Sequence, residues 1–241
     1  MFSPIFLLSV MALLSSVISG VIGLAGGTIL ISLMTFFIPV QSIVPLHGVI
    51  QLSSNSSRAF FLRQNINKKI ITFFVPGLLI GSLISREVLT YVTSPKVFYL
   101  FLTGIIFLAV FRPKKLKFKT PLPLFSVVGL ITGSISPLTG AVGPFLAPFM
   151  LGAELKKEEL VATKAVLQTF THSFKILVFI SLGFNYAENY LMLGLACLFT
   201  ILGSKIGTKI LKTLPQSRFN FLFKGFLLLA AARLIWKSLN L

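Results

Sequence analysis

No charged side chain occurs in the first 57 residues of this 241-residue chain; Arg58 is the first. Few folds accept such a stretch. In a bilayer every backbone N–H and C=O must be bonded within the protein, which leaves helices or a closed barrel. The apolar runs are mostly 17 to 24 residues long, enough to cross about 30 Å of hydrocarbon at about 1.5 Å per residue. They are far longer than the ~10-residue alternating strands of a barrel. Hydrophobic residues make up 55% of the chain and charged residues 11%, against about a quarter charged in soluble domains. A secretory signal peptide does not fit the opening, because it would start basic and end in a cleavage site. The reading is an all-α polytopic integral membrane protein.

Apolar runs fall near 4–38, 43–62, 70–91, 95–111, 121–152, 160–183, 189–208 and 217–239. Runs 4–38 and 121–152 are too long for one plain crossing and too short for two. Each is interrupted by small residues and prolines, SGVIGLAGG at 19–27 and TGSISPLTGAVGP at 132–144. Backbone that leaves the helix at membrane depth must be covered by protein or line a cavity. Each run therefore reads as a re-entrant hairpin or a discontinuous helix.

Loop charge bears on that choice. Arg58, Arg63, Lys68 and Lys69 fall in 58–69; Arg112, Lys114, Lys115, Lys117 and Lys119 in 112–119; Lys205, Lys209, Lys212 and Arg218 in 205–218. Short basic connections stay in the cytoplasm. All three can do so if each broken run returns to the side it entered from. Each half, 1–120 and 121–241, then has one broken or re-entrant helix plus three transmembrane helices. Three is odd, so the second half is inverted relative to the first. Eight full crossings are the rival, and they put the basic 205–218 outside.

Two polar stripes recur within this apolar sequence. His47, Gln51, Asn55 and Arg58 are spaced i, i+4, i+8, i+11, and Lys164, Gln168, His172 and Lys175 repeat that spacing 117 residues later. At about 100° per residue each set lies on one helical face. Polar faces within membrane helices mark something held or moved there. Weak internal symmetry, paired broken helices and a midplane polar site are the pattern of secondary transporters.

On these residues the chain resembles the sulfite exporter TauE/SafE family of bacterial membrane transporters. The resemblance spans nearly the whole chain and rests on SGVIGLAGGTILI, HGVIQLSSNSSR, GSISPLTGAVGPFLAPFML and ATKAVLQTFTHSFKILVFISLGF, in that order. It implies an inner-membrane exporter or carrier of small sulfur-containing or organic anions, such as sulfite, sulfoacetate or other sulfonates.

An anion at the midplane loses its water, and compensation must come from fixed charge or exposed helix N-termini. Gly26 and Gly27 precede a helical run beginning near Thr28; Gly140 and Gly143 precede another, with Pro144 suited to a first helical position. Thr28 and Thr139 add hydroxyls. Lys164 is the cation placed near such a pocket, although a lysine there could also snorkel to the surface. Gln51, Asn55 and Gln168 offer donors, or equally the glue between helices. Arg58 and Lys175, at the stripe ends, fit a topological or gating role. His47 and His172 are the only histidines. They are candidates for proton coupling as well as for structural hydrogen bonding.

The chain has five glutamates and no aspartate, so the usual buried carboxylate for ion coupling is missing. Net charge is +17, which reads as topology and contact with anionic lipid. No segment is long enough for a nucleic-acid-binding domain. Cys197 stands alone, so neither an internal disulfide nor a thiolate metal cluster can form, and two histidines with no aspartate make no metal site. No GxxxxGK[ST] loop is present, and Ser136 and Ser173 lack the surroundings of a protease nucleophile. No enzyme activity, cofactor or metal is expected. The expected partners are a small anion, the bilayer and protons, with homo-oligomers left open. A passive anion channel is the competing function.

Overall fold

The computed structural model describes residues 4–23, 26–91 and 119–239. Among them run nine helices, which we number in chain order: α1 (Pro4–Ile22), α2 (Gly26–Met34), α3 (Val40–Phe61), α4 (Lys68–Tyr91), α5 (Leu124–Thr139), α6 (Gly143–Gly152), α7 (Lys157–Ser181), α8 (Tyr190–Thr213) and α9 (Gln216–Leu239). No strand occurs among the described residues. The expected run at 95–111 and all of the 112–119 connection except Lys119 lie outside them.

Both interrupted runs fold back as helical hairpins. Gly26, at the start of α2, lies against Ser15 and Ser19 of α1, so closely that a Cβ would overlap the Ser15 carbonyl. Thr120, just before α5, donates its N–H to Gly152 O at 2.9 Å and its hydroxyl to Phe149 O at 2.9 Å. The start of α5 therefore meets the end of α6. The turns are made by glycine. Gly23 and Gly140 have φ of 71° and 70°, the left-handed region that closes a helix C-terminus and that a Cβ disfavours. Each donates its N–H four residues back, Gly23 to Ser19 O and Gly140 to Ser136 O.

The two most extensive helix pairs are α1 with α8 and α4 with α5. Small residues bring their backbones together, the device that drives helix association in lipid. Gly20 abuts Gly207 while Gly203 abuts Leu13 and Ser16, so α1 and α8 run in the same direction. Gly77 abuts Ser126 and Gly81 abuts Leu130, so α4 and α5 are parallel too. Between these pairs lie α3 and α7, the stripe helices. They are antiparallel: Gly48 faces Lys175 and Ile176, whereas Asn67, just beyond α3, bonds Thr163 near the start of α7.

Among the described residues, three helical stretches are long and apolar enough to cross a membrane: Ile5–Ile22, Lys68–Ser85 and Tyr186–Thr213. On α8, Leu191, Leu195, Leu198, Leu202, Ile206 and Ile210 are exposed, an apolar face that lipid would cover. Two sequence expectations change. Lys205, Lys209 and Lys212 are not in a connection but on the last turns of α8, which continues to Thr213. Arg58 does not open the 58–69 loop; it is in the last turn of α3 and fully buried.

Candidate functional site

The hairpin tips and the two stripes meet in one small cavity. Ser19, Gly27, Thr28, His47, Gln51, Ala141, Gly143, Lys164, Gln168 and His172 line it. Its volume is about 10 Å³, room for about one water molecule. Two helices restart at its wall, α2 at Gly26 and α6 at Gly143, and their first N–H groups have no partner within the helix. Glycine keeps these walls thin. A Cβ on Gly27 would sit 3.4 Å from the Gln51 amide, and one on Gly143 would sit 3.5 Å from both Lys164 Nζ and Gln168 Nε2.

The cations attach to the other ends of the breaks. Lys164 Nζ donates to Gly23 O, at the close of α1, and lies 3.4 Å from Gln168 Oε1. Lys175 Nζ donates to Gly140 O at 2.9 Å, at the close of α5. Each lysine thus sits at the negative end of a helix dipole. Arg58 turns within its own helix, donating to Asn55 Oδ1 and Ser54 Oγ at 3.0 Å each, and its Nε has no partner.

Between the lysines stand the histidines. His47 Nε2 is 2.9 Å from Gly27 O; a carbonyl can only accept, so Nε2 carries the proton. The His47 and His172 rings meet edge to face with centroids 5.8 Å apart. The Nδ1 atoms of both are buried without a hydrogen-bond partner.

Four residues expected at the site do not line the cavity. Gly26 is spent on packing against Ser15 and Ser19. Asn55 lies a turn beyond Gln51, donating to its carbonyl at 2.7 Å and to Oε1 at 3.3 Å. Thr139 returns its hydroxyl to Ile135 O. Gly140 forms the turn and accepts from Lys175. Gly27, Thr28, His47, Gln51, Gly143, Lys164, Gln168 and His172 do line it, joined by Ser19 and Ala141. Gly23 went unread in the sequence, although it precedes Gly140 by the same 117 residues that separate the stripes.

Charge is the unusual property of this interior. Arg58, Lys164 and Lys175 are each at most 1% exposed, and none of the five glutamates is buried. An ion taken from water into protein costs several kcal/mol. A helix C-terminus returns at most about 2 kcal/mol to a cation. No group of three or more histidine, cysteine or acidic residues suited to a metal occurs among the described residues.

Apolar spans, glycine-broken hairpins and a buried basic cavity define a multi-pass membrane protein with an internal polar site. A family model described as sulfite exporter TauE/SafE matches residues 8–234, and the chain belongs to that family of membrane transporters. No curated protein and no solved structure matches it.

Proposed function

We propose that this protein is a secondary carrier, working as an exporter, of small sulfur-containing or organic anions such as sulfite. The observation that carries this reading is Lys164, buried in the wall of a cavity where two helices begin, with Arg58 and Lys175 buried on the same two stripes and no carboxylate buried with them. An anion there would offset the buried charge. The N–H groups of the restarting helices and the Gln51 and Gln168 amides would bind its oxygens. The family description points to the same chemistry.

The site lies at the interface of two inverted halves, residues 1–120 and 121–241. Three observations support that. The glycine turns, the helix restarts at Gly26 and Gly143, and the stripes share one offset of 117 residues. The pairing of α1 with α8 has its counterpart in the pairing of α5 with α4. The equivalent helices α3 and α7 pack antiparallel, whereas a repeat without inversion would run them the same way. Inverted halves around a midplane site suit alternating access in the inner membrane. A passive channel would share the polar lining, and only a carrier must close each side in turn. His47 and His172 are the groups that would couple protons.

Proteoliposomes containing the purified chain test this directly. Sulfite on one side should exchange for labelled sulfite on the other, with saturation and with competition from related oxyanions. Flux that rises linearly with sulfite and never saturates would replace the carrier by a channel. Absence of any anion flux would sink both.

A further inference from the structure

We infer that the first two turns of α7 form the inner gate of this carrier, with Glu159 clasping Asn67 and Lys164 tying that clasp to the anion site. The inference rests on the transporter reading above. One helix end reaches in three directions. Lys157 Nζ donates to Leu211 O at 2.7 Å and to Leu214 O at 2.5 Å, at the end of α8. Glu159 Oε1 accepts from Asn67 Nδ2 at 2.8 Å, and Thr163 Oγ1 accepts from Asn67 N at 2.9 Å. The connection between α3 and α4 is therefore held twice. Val161 packs on the glycine turn, where a Cβ on Gly23 would lie 2.9 Å from its Cγ2, and Lys164 takes the Gly23 carbonyl.

These contacts join the rim of the protein to the cavity within eight residues. Asn67 precedes the boundary between the halves and Glu159 follows it, so the clasp crosses from one half to the other. At the opposite end of α7, Asn185 bonds within its own loop, to Glu188 at 2.9 Å and to Ala187 N at 3.1 Å. The clasp sits on the side of the basic residues Lys68, Lys69 and Lys212, the cytoplasmic side by their charge. Its hydrogen bonds, between partly buried groups, are strong enough to bias an equilibrium and weak enough to break in every cycle. An anion that draws Lys164 off Gly23 O would loosen the turn on which Val161 rests. That differential contact is what a ligand needs to shift a conformational equilibrium.

The test joins the clasp covalently. Asn67→Cys and Glu159→Cys are introduced together with Cys197→Ser, and the full chain in proteoliposomes is treated with a short bis-maleimide. A thioether link is needed because sulfite cleaves disulfides. The joined protein should bind sulfite within threefold of the unjoined affinity yet exchange it at least tenfold more slowly. Each single-cysteine variant treated alike should keep its rate. Exchange at the unjoined rate would overturn the gate. So would loss of sulfite binding on joining, which would make the contact a support of the site. Glu159→Ala, which removes the acceptor, should raise sulfite leak at least threefold, whereas Glu159→Gln keeps an acceptor and should stay within twofold. Equal leak in the two variants would also overturn the gate. If the unjoined protein binds neither sulfite nor another small anion, the transporter reading itself fails.

Discussion

The stripes on α3 and α7 share one spacing and both lie buried, yet they do different things. On α3 the polar groups beyond the cavity close on their own helix: Asn55 bonds Gln51, and Arg58 bonds Asn55 and Ser54. On α7 both lysines reach across to helix ends, Lys164 to Gly23 and Lys175 to Gly140. Periodicity settles which face a side chain occupies. What it bonds depends on the reach and charge of that side chain, and a lysine reaches farther than an asparagine. Recognition should therefore be carried mainly by α7, with α3 supplying neutral donors and rigidity.

The sharpest way to break that comparison is Lys164→Met. It removes a fixed positive charge at the cavity wall, and a hydrogen bond to a charged group is worth about 1.5–3 kcal/mol. Sulfite affinity should fall about tenfold to a hundredfold. Lys175→Met removes an equal charge at Gly140, outside the cavity lining, and should cost less than tenfold. Equilibrium binding to both purified variants decides it. Equal losses would mean that the field of the whole buried cluster, not one ammonium, holds the anion.

The neutral amides sharpen it further. Gln51→Ala and Gln168→Ala each delete one donor at the cavity, and a loss of about 1 kcal/mol predicts about a fivefold weaker affinity in each. Leu167→Ala, off the stripe, should leave affinity unchanged. Its stability is another matter. Leu167 is fully buried in the core, and a buried leucine cut to alanine costs about 2–5 kcal/mol, so the thermal midpoint should drop while Kd stays put. A Kd change as large as that of the glutamine variants would show that the stripe serves packing.

Much of this was legible in the sequence. Three candidate spans among the described residues and the two breaks followed from run length and small residues, because hydrocarbon thickness and backbone satisfaction leave little freedom. The faces of the stripes followed from helical period. The partners did not. Nothing in the spacing says that Lys164 caps Gly23 or that Asn55 serves Arg58, since both depend on packing between distant segments. Thr139 looked like a cavity hydroxyl because it lies at a break, but at a helix end a hydroxyl readily returns to its own carbonyls, and here it bonds Ile135. Gly23 left a signal in its offset from Gly140. The clasp at Asn67 and Glu159 left none, because two polar residues in loops and first turns look like ordinary surface.

Among the stripe residues that line the cavity, the smallest effect on affinity should come from the histidines, which link the two stripes. Their rings are 5.8 Å apart. At an effective dielectric constant of about 20, two unit charges at that distance repel by about 3 kcal/mol. The pair can hold one proton far more easily than two, above all with Lys164 and Lys175 on either side. One histidine therefore suffices to accept a proton, and His47→Gln or His172→Gln alone should retain much of the response to a pH gradient. His47→Gln with His172→Gln should lose it, while sulfite affinity at fixed pH changes no more than about twofold. Flux driven by an imposed pH gradient in proteoliposomes separates these cases. Full pH-driven flux in the double variant would mean that the proton travels on the anion itself. Both rings would then be structural spacers between α3 and α7, and the lysine stripe alone would set recognition.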